Sequence, residues 1–230
     1  MSEPAAPRIG PPAQPRDAAT VVVLRDGAGP ASKAGLEVYL VKRSRTMDFM
    51  AGAHVFPGGR LDKADASLEA CAVRETFEEA GLRLDPAALV PWVRWVTPEI
   101  SPRRFDARFF LARAPAGQEP KVDGHEAIEG SWITPKEAVR DWERGGMQLA
   151  PATAKSIEIL CAYATVDEAL AAAAGRPPPV VMPFVWNDKE SGRAYISLPG
   201  DPRHSLPDVL GGKIRRFQLA EGRYRAVRAD

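Results

Sequence analysis

The sequence is poor in cysteine and has almost no imbalance of charge. Its two cysteines, Cys71 and Cys161, are too few for a disulfide framework or a zinc site, and both are expected to fill small buried gaps. The 31 basic and 30 acidic residues give a formal net charge of +1. That balance argues against a protein dedicated to binding nucleic acid or a charged membrane surface.

Long apolar runs are also missing. No stretch approaches the roughly 20 apolar residues that a membrane-spanning helix needs, and the N-terminus lacks the apolar core of a signal peptide. A cytoplasmic protein with no membrane partner is therefore expected. The 230 residues are 45% hydrophobic, which supports a substantial core. One large domain, or one domain with an extension, is expected from this length.

The most informative stretch, residues 56–82, places two glycines ahead of a predicted helix that is rich in carboxylates. A helix advances about 100° per residue, so Glu75, Glu78 and Glu79 fall on one face. The opposite face is predicted to be apolar and buried. Its members are Ala70, Val73, Phe77 and Ala80.

Two further features of this helix can be predicted. Asp65 or Ser67 can cap its start, and Gly81 suits its end. Carboxylates one turn apart destabilise a helix by roughly 0.2–0.5 kcal/mol per pair, and Arg74, one turn before Glu78, is the local compensation. Clustered hard oxygen ligands are what Mg²⁺ or Mn²⁺ requires, so the pattern predicts a metal site. A solvated acidic helix held by tertiary contacts is the alternative.

This stretch resembles the nudix box, the signature of the nudix hydrolases. The family pattern reads Gly, five residues, Glu, seven residues, then Arg-Glu-apolar-x-Glu-Glu-x-Gly-apolar. The matching residues are Gly59, Arg74, Glu75, Glu78, Glu79, Gly81 and Leu82.

The chain departs from this pattern in three places. The interval from Gly59 to Arg74 is one residue longer, so the loop carries an insertion. Asp65 or Ala66 stands where the early Glu is expected, depending on where the insertion lies. Thr76 replaces the usual apolar residue.

The resemblance implies an α/β fold, a nudix-type α/β/α sandwich with a mixed sheet. It also implies hydrolysis of a diphosphate linkage in a nucleoside diphosphate derivative, with Mg²⁺ or Mn²⁺ as cofactor. Arg74 would orient Glu78, and either Glu75 or Glu126 would act as general base, since family members differ on this role. The implied metal ligands are Glu75, Glu78, Glu79 and the carbonyl of Gly59.

Glu126 is a candidate because nudix proteins often place a further acidic residue in the loop before a strand that bears Trp. It lies six residues before Trp132, and Glu129 is the alternative. Either could reach the metal or act as base. Alternatively, both are exposed loop acids.

Residues 42–59 also resemble the subgroup that contains peroxisomal coenzyme A diphosphatases and their bacterial relatives. The matching segments are Lys42-Arg43-Ser44, Phe49-Met50 and Gly52 to Gly59. The coenzyme A signature is met only in part, which gives a hint of coenzyme A or an acyl ester as substrate. His54 is read either as a substrate contact or as a structural residue.

Three arginines are candidates for holding substrate phosphates, because a guanidinium binds phosphate in bidentate fashion. Arg43 follows the second predicted strand, and Arg103 and Arg104 precede another. Solvated loop charges are the alternative reading for all three.

Three regions are predicted along the chain. Residues 1–18 form a disordered tail, 19–150 the nudix hydrolase domain, and 151–230 a C-terminal extension of helices and β-hairpins packed on it. Strands are predicted over 20–24, 36–43, 89–96 and 105–112, and helices over 135–144, 151–163 and 165–175. Further strands, over 180–186, 193–198, 215–219 and 224–227, form two hairpins, which either complete a pocket or form a homodimer interface.

A second function, from another class, is a degenerate nudix domain that binds a nucleotide without cleaving it. The intact Arg74-Glu75-x-x-Glu78-Glu79 opposes this reading, whereas the lost Glu and the insertion favour it. Carboxylates paired with a Lys or Arg of the protein would favour the binding module, and a divalent ion on them would favour the enzyme.

Overall fold

A computed structural model describes residues 13–27, 35–44 and 50–228 of the chain. Within these residues, eight strands form one sheet and four form a second. The first sheet contains β1 (Arg16–Gly27), β2 (Gly35–Arg43), β3 (His54–Val55), β4 (Gly58–Arg60), β5 (Val90–Val96), β6 (Phe105–Arg113), β7 (Ala127–Ile133) and β8 (Val180–Val181). The second contains β9 (Phe184–Asn187), β10 (Ala194–Ser197), β11 (Arg216–Ala220) and β12 (Arg223–Val227). The helices are α1 (Leu68–Ala80), α2 (Pro135–Glu143), α3 (Pro151–Leu160) and α4 (Val166–Ala173), with a 3₁₀ turn at Pro86–Ala88.

Strand β1 lies at the centre of the first sheet, whose order is β3-β2-β1-β6-β5-β8. It pairs in parallel with β6 along one edge and antiparallel with β2 and β4 along the other. The sheet is therefore mixed, as predicted. The residues of β1 alternate between two buried layers, which explains why Thr20 to Leu24 reads as a continuous apolar run.

One buried layer lies between the sheet and α1, and the other lies on the opposite face of the sheet. Val21 and Val23 pack in the first layer with Cys71 and Ala72 of α1. The second layer contains side chains from α2, α3 and α4 and from the second sheet, among them Trp142, Ile157, Val166 and Phe217. This arrangement confirms the α/β class with an additional sheet formed by the C-terminal strands.

The predicted C-terminal strands exist, but the first of them is divided. The sequence predicted one strand over 180–186, whereas β8 pairs with β5 in the first sheet and β9 pairs with β10 in the second. Pro183 lies between β8 and β9 and has no N–H to donate to a ladder, so the chain changes sheet there. The short strand β8 thus joins the extension to the first sheet.

The predicted N-terminal tail is too long at its C-terminal end. Strand β1 begins at Arg16, whose N–H donates to the carbonyl of Arg104 at 2.9 Å, and Ala18 pairs with Arg60 of β4. The start of the strand could not be predicted from the polar side chains at 16 and 17, because backbone hydrogen bonds hold this part of the chain in the sheet. Residues 1–12 of the predicted tail and the segment 45–49, which includes Phe49, lie outside the described residues.

Over the described ranges, no helix combines the length and apolar character needed to cross a bilayer.

Candidate active site

Helix α1 has well-defined ends. Its first turn is capped by Ser67, whose hydroxyl accepts a hydrogen bond from the N–H of Ala70 at 3.2 Å. Ser67, rather than Asp65, is therefore the N-cap. The helix ends at Gly81, whose φ of 68° is left-handed and whose N–H donates to the carbonyl of Phe77 at 2.8 Å.

The buried face of α1 differs from the predicted one. Phe77 is 41% exposed and lies beneath the guanidinium of Arg83 at 4.2 Å. Small side chains let the helix approach β1 and β4 closely. Thr76 is buried as well, and its hydroxyl donates to the carbonyl of Ala72 at 2.7 Å, which satisfies the polar group within the helix. The buried residues are Cys71, Ala72, Thr76, Glu79 and Ala80.

Asp65 forms an ion pair with Arg74, the arginine of the nudix-box pattern. The Nε of Arg74 donates to Oδ1 of Asp65 at 2.9 Å, and Nη2 donates to Oδ2 at 2.8 Å. This bidentate pair lowers the pKa of Asp65 to about 2, chiefly through the hydrogen bonds from Arg74. The structure therefore distinguishes the two residues considered for the missing Glu, since Asp65, not Ala66, contacts Arg74.

The same guanidinium reaches two of the three carboxylates. Its Nη1 donates to Oε1 of Glu75 at 2.8 Å and to Oε2 of Glu78 at 2.9 Å. The expected contact between Arg74 and Glu78 is thus present. Arg74 ties the loop at Asp65 to the acidic edge of α1, because a planar guanidinium has five N–H donors in a fixed fork.

Glu79 is the buried carboxylate of the site, with 6% of the residue exposed. Its Oε2 accepts a hydrogen bond from the N–H of Gly58 at 3.0 Å. Burial, opposed by that hydrogen bond and reinforced by the charges of Glu75 and Glu126, raises the pKa of Glu79 to about 7. Burial also raises the pKa of Glu75, with Glu78 and Glu126 adding to the effect of burial and Arg74 opposing it.

The two glycines bring the backbone against these carboxylates. A Cβ atom at Gly59 would lie 2.4 Å from the carboxylate of Glu75, and one at Gly58 would lie 2.4 Å from the carbonyl oxygen of Ala19. Both approaches are closer than any side chain permits. Glycine is required at 58, because its φ is 157° and a Cβ there would strike the backbone of β1, whereas a Cβ at Gly59 would displace only the end of the Glu75 side chain.

The donor chemistry of this site fits a divalent cation, although the side chains do not form a finished set of ligands. Among the described residues, no three Asp, Glu, His or Cys side chains are grouped so as to hold a metal ion. Glu75 and Glu78 are hydrogen-bonded to Arg74, and Glu79 to a neutral amide. Burial raises the pKa of Glu75 and Glu79, and the charges of neighbouring glutamates raise it further; a cation would offset that repulsion.

Of the two loop carboxylates, Glu126 is the one coupled to the site. Its charge contributes to the raised pKa of both Glu75 and Glu79. Glu129 forms an ion pair with Lys42, with Nζ and Oε2 3.3 Å apart. The charge coupling of Glu126 and the pairing of Glu129 with Lys42 therefore favour Glu126 as the additional acidic residue.

The three candidate arginines lie in different places. The charge of Arg43, at the end of β2, lowers the pKa of Glu79, so this residue lies near the site. Arg103 is exposed in the bend before β6, the strand that flanks β1 on the edge opposite β4. Arg104 is buried, and its guanidinium donates to the carbonyls of Thr97 at 3.0 Å and Ala13 at 2.8 Å. Arg104 thus holds the backbone and does not face a substrate.

His54 is half-buried in β3. Its backbone N–H donates to the carbonyl of Gln148 at 2.8 Å. Burial, together with the charge of Lys42, lowers the pKa of His54, so the ring is neutral near pH 7. Within the part of the chain that the structure describes, its buried Nδ1 has no hydrogen-bond partner. The sheet thus holds the backbone of His54, and the two readings of its ring, a substrate contact or a structural residue, both remain predictions.

The comparisons with known proteins identify the family. The NUDIX domain profile matches residues 14–153 of the chain. The chain belongs to the nudix family. Strands β1 to β7, helices α1 and α2 and the start of α3 lie inside the matched range, so every candidate site residue lies within the nudix domain.

Named relatives support the subgroup as well. A Caenorhabditis elegans protein provisionally named nudix hydrolase 7 is 31% identical over 177 residues, covering 59% of this chain and 57% of that protein. The acyl-coenzyme A diphosphatase NUDT19 of Xenopus laevis is 24% identical over 233 residues, covering 57% and 61%. Peroxisomal coenzyme A diphosphatase 1 of Saccharomyces cerevisiae is 40% identical over 74 residues, covering 32% and 21%. The chain therefore spans less than two thirds of the length of these relatives.

A solved structure agrees with the fold. The nudix hydrolase of Alicyclobacillus acidocaldarius superposes with a TM-score of 0.61 at 26% identity, covering 71% of this chain and 99% of that protein. The expected nudix-type fold is confirmed. Nearly the whole of the bacterial protein thus corresponds to only part of this chain.

Proposed function

We propose that the chain hydrolyses a diphosphate linkage in a nucleoside diphosphate derivative with the help of Mg²⁺ or Mn²⁺. One observation carries the proposal. Four carboxylates, Glu75, Glu78, Glu79 and Glu126, are coupled electrostatically; Arg74 holds Glu75 and Glu78, and Glu79 accepts from the N–H of Gly58. Such a concentration of negative charge is expected where a cation is bound.

Each residue has a proposed role. The metal would be held by Glu75, Glu78 and Glu79 with the carbonyl of Gly59, and it would neutralise the phosphates and acidify the attacking water. Arg74 orients Glu75 and Glu78 through the contacts described above. Glu75 or Glu126 accepts the proton of the water as general base, and the raised pKa of Glu75 suits that role.

Arg43 is the proposed phosphate contact that lies near the carboxylates, and Arg103 remains a more distant candidate. The positive charge of Arg43 lowers the pKa of Glu79. A phosphate bound beside Glu79 would therefore also be attracted by the charge of Arg43. Arg104 is left out because its guanidinium donates to backbone carbonyls.

For the substrate we propose coenzyme A or an acyl-coenzyme A. The names of the Xenopus and Saccharomyces relatives, together with the partial signature at residues 43–59, support it. Hydrolysis of the diphosphate would release 4′-phosphopantetheine, or its acyl form, and adenosine 3′,5′-bisphosphate. The yeast relative is named as peroxisomal, and a cytoplasmic location and a homodimer remain predictions for this chain.

The test is a substrate panel with Mg²⁺ and Mn²⁺, with products identified by mass spectrometry. It contains coenzyme A, acyl esters, dinucleotides, nucleotide sugars and nucleoside triphosphates. Glu78→Gln keeps the shape of the side chain but removes a charge, and we expect its turnover to fall by ~10²–10³ while the circular dichroism spectrum is unchanged. A Glu78→Gln variant within a factor of about three of wild type would remove Glu78 from the metal site.

A second candidate is a nucleotide-binding module without catalysis. The pairing of Glu75 and Glu78 with Arg74 is the observation that favours it, because carboxylates satisfied by the protein need no metal. Wild-type protein that binds a nucleotide tightly, yet cleaves no member of the panel, would establish this function and exclude the first.

A further inference from the structure

The loop that carries Glu126 is organised by one aspartate. Oδ2 of Asp123 accepts a hydrogen bond from the N–H of Glu126 at 3.1 Å, and Oδ1 accepts one from the N–H of Ala127 at 3.0 Å. The turn is closed by the N–H of Gly124, which donates to the carbonyl of Ala127 at 3.0 Å, and Gly124 supplies the left-handed φ of 77°. The Asp123 carboxylate thus fixes the two peptide groups that flank Glu126.

The other side of Glu126 is fixed to the sheet. Its carbonyl accepts a hydrogen bond from the N–H of Ser44 at 2.8 Å, next to Arg43 at the end of β2. Both backbone polar groups of Glu126 are therefore satisfied within the protein. This matters because the side chain itself is exposed and the loop would otherwise be free to move it.

We propose that Asp123 is a positioning residue, which directs the Glu126 carboxylate toward Glu75 and Glu79 by fixing the backbone at Glu126. The proposal rests on the proposed function, because the position of Glu126 matters for turnover only if Glu126 takes part in the reaction. Asp123 does not touch the substrate in this account. Its effect on the reaction passes entirely through Glu126.

The chain offers a matched control for this arrangement. Asp188, in the turn between β9 and β10, also accepts two backbone N–H groups, from Glu190 and Ser191, both at 2.9 Å. It uses the single atom Oδ1 for both, whereas Asp123 uses its two oxygens separately. An asparagine has one acceptor oxygen and one NH₂ group. Asp188→Asn can therefore keep both hydrogen bonds from the backbone. Asp123→Asn must lose one of its two, because its NH₂ group would face a backbone N–H.

The experiment compares wild type, Asp123→Asn, Asp188→Asn, Glu126→Gln and the double variant Asp123→Asn/Glu126→Gln. Backbone amide exchange is measured by NMR at 126 and 127, and turnover is measured on coenzyme A with Mg²⁺. In Asp123→Asn we expect exchange at these amides to be at least about tenfold faster. We also expect kcat to fall about tenfold with KM within about a factor of three, since positioning affects the reacting geometry rather than the binding of substrate.

The remaining variants decide the mechanism of the effect. Asp188→Asn should leave both exchange at 126 and 127 and turnover unchanged. The double variant should be no slower than Glu126→Gln alone, because residues that act through one another are not additive. An additive loss would show that Asp123 acts by another route and would overturn the proposal.

Other outcomes separate this inference from the proposed function. Unchanged exchange at 126 and 127 in Asp123→Asn overturns the inference whatever the activity. If Glu126→Gln leaves turnover intact, the inference fails while diphosphate hydrolysis stands. If wild type cleaves no substrate, the proposed function is wrong, and so is the role of Asp123 in catalysis. The exchange measurement still decides whether Asp123 fixes the loop.

Discussion

At the scale of single residues, Arg74 is the centre of the acidic site. The sequence alone did not show whether Asp65 or Ala66 takes the place of the early Glu, and the structure pairs Arg74 with Asp65. An inserted residue can be placed anywhere in a loop, so spacing alone did not distinguish Asp65 from Ala66. The contact with Glu78, one turn along the helix, followed from helical geometry, whereas the contact with the adjacent Glu75 did not. The bond from Arg104 to the carbonyl of Ala13 could not be predicted, because the two residues are remote in sequence and no local pattern reveals such a contact.

The first prediction concerns Asp65. Because its folded pKa is about 2, below the value near 4 of an unfolded chain, its ionised form stabilises the protein above about pH 4. Asp65→Asn should therefore reduce the free energy of unfolding by about 1–2 kcal/mol at pH 7. The difference from wild type should shrink as the pH falls from about 4 toward 2, where wild-type Asp65 is protonated as well.

Urea denaturation at a series of pH values measures this difference. Asp62→Asn is the control, since the Asp62 side chain accepts only from the N–H of Ala64. A difference for Asp65→Asn that does not depend on pH would show that the ion pair with Arg74 is not its origin.

The second prediction concerns Glu79 and a metal. Its folded pKa of about 7 lies above that of an unfolded glutamate, so the metal-free protein should lose stability as the pH rises from about 4 through 7. Glu79→Gln should be more stable than metal-free wild type at pH 8, by about 3 kcal/mol at most. Millimolar Mn²⁺ should raise the thermal midpoint of wild type by mass action but not that of the variant.

Thermal unfolding followed by circular dichroism, with and without EDTA, provides the measurement. Equal gains from Mn²⁺ in wild type and Glu79→Gln would place the metal elsewhere. A wild type insensitive to Mn²⁺ would count against a metal site on α1.

At the scale of elements, the sequence predicted where most helices and strands lie but not how α1 is turned. The caps Ser67 and Gly81 are local signals and located its ends well. The predicted buried face was right for Ala80 and wrong for Phe77, because apolar character alone does not decide which side of a helix faces the sheet. In the structure the acidic edge turns partly inward, where Glu79 reaches the Gly58 amide, and small residues fill the contact with the sheet.

The third prediction tests this orientation. Phe77→Ala should cost less than about 1 kcal/mol, because the ring is 41% exposed and contacts Arg83 on the surface. Ala72→Leu should cost about 1–3 kcal/mol, since Ala72 is fully buried against the sheet and a larger side chain overpacks it. Chemical denaturation compares the two, and the reverse order would support the face predicted from the sequence.

At the scale of the whole molecule, the extension and the nudix domain share one core. Phe217 packs against Trp142 with ring centroids 6.0 Å apart, and the indole Nε1 donates to the carbonyl of Tyr224 at 3.0 Å. The predicted boundary at 150 is therefore not a boundary between separate cores. Sequence pattern identified the C-terminal strands correctly but could not show this sharing, because it depends on contacts about 80 residues apart.

The last prediction concerns the buried ion pair that holds the extension. Nζ of Lys155 lies 2.7 Å from Oε2 of Glu158 and 2.6 Å from the carbonyl oxygen of Gly211, and Lys155 is almost fully buried. Oε1 of Glu158 accepts from the N–H of Ile214 at 2.9 Å, so α3 fixes the segment that leads into β11.

Lys155→Met would leave the partly buried Glu158 without its cation, and we expect a loss of about 2–3 kcal/mol, below the range for a fully buried pair because two backbone N–H groups still donate to Glu158. Adding Glu158→Gln should recover part of that loss, because the amide oxygen can still accept from Ile214 without a buried charge. Because the core is shared, the near-ultraviolet circular dichroism signal and the far-ultraviolet signal should shift to lower urea together. If only one of them shifted, the extension would unfold on its own, and the ion pair would stabilise the extension without stabilising the nudix domain.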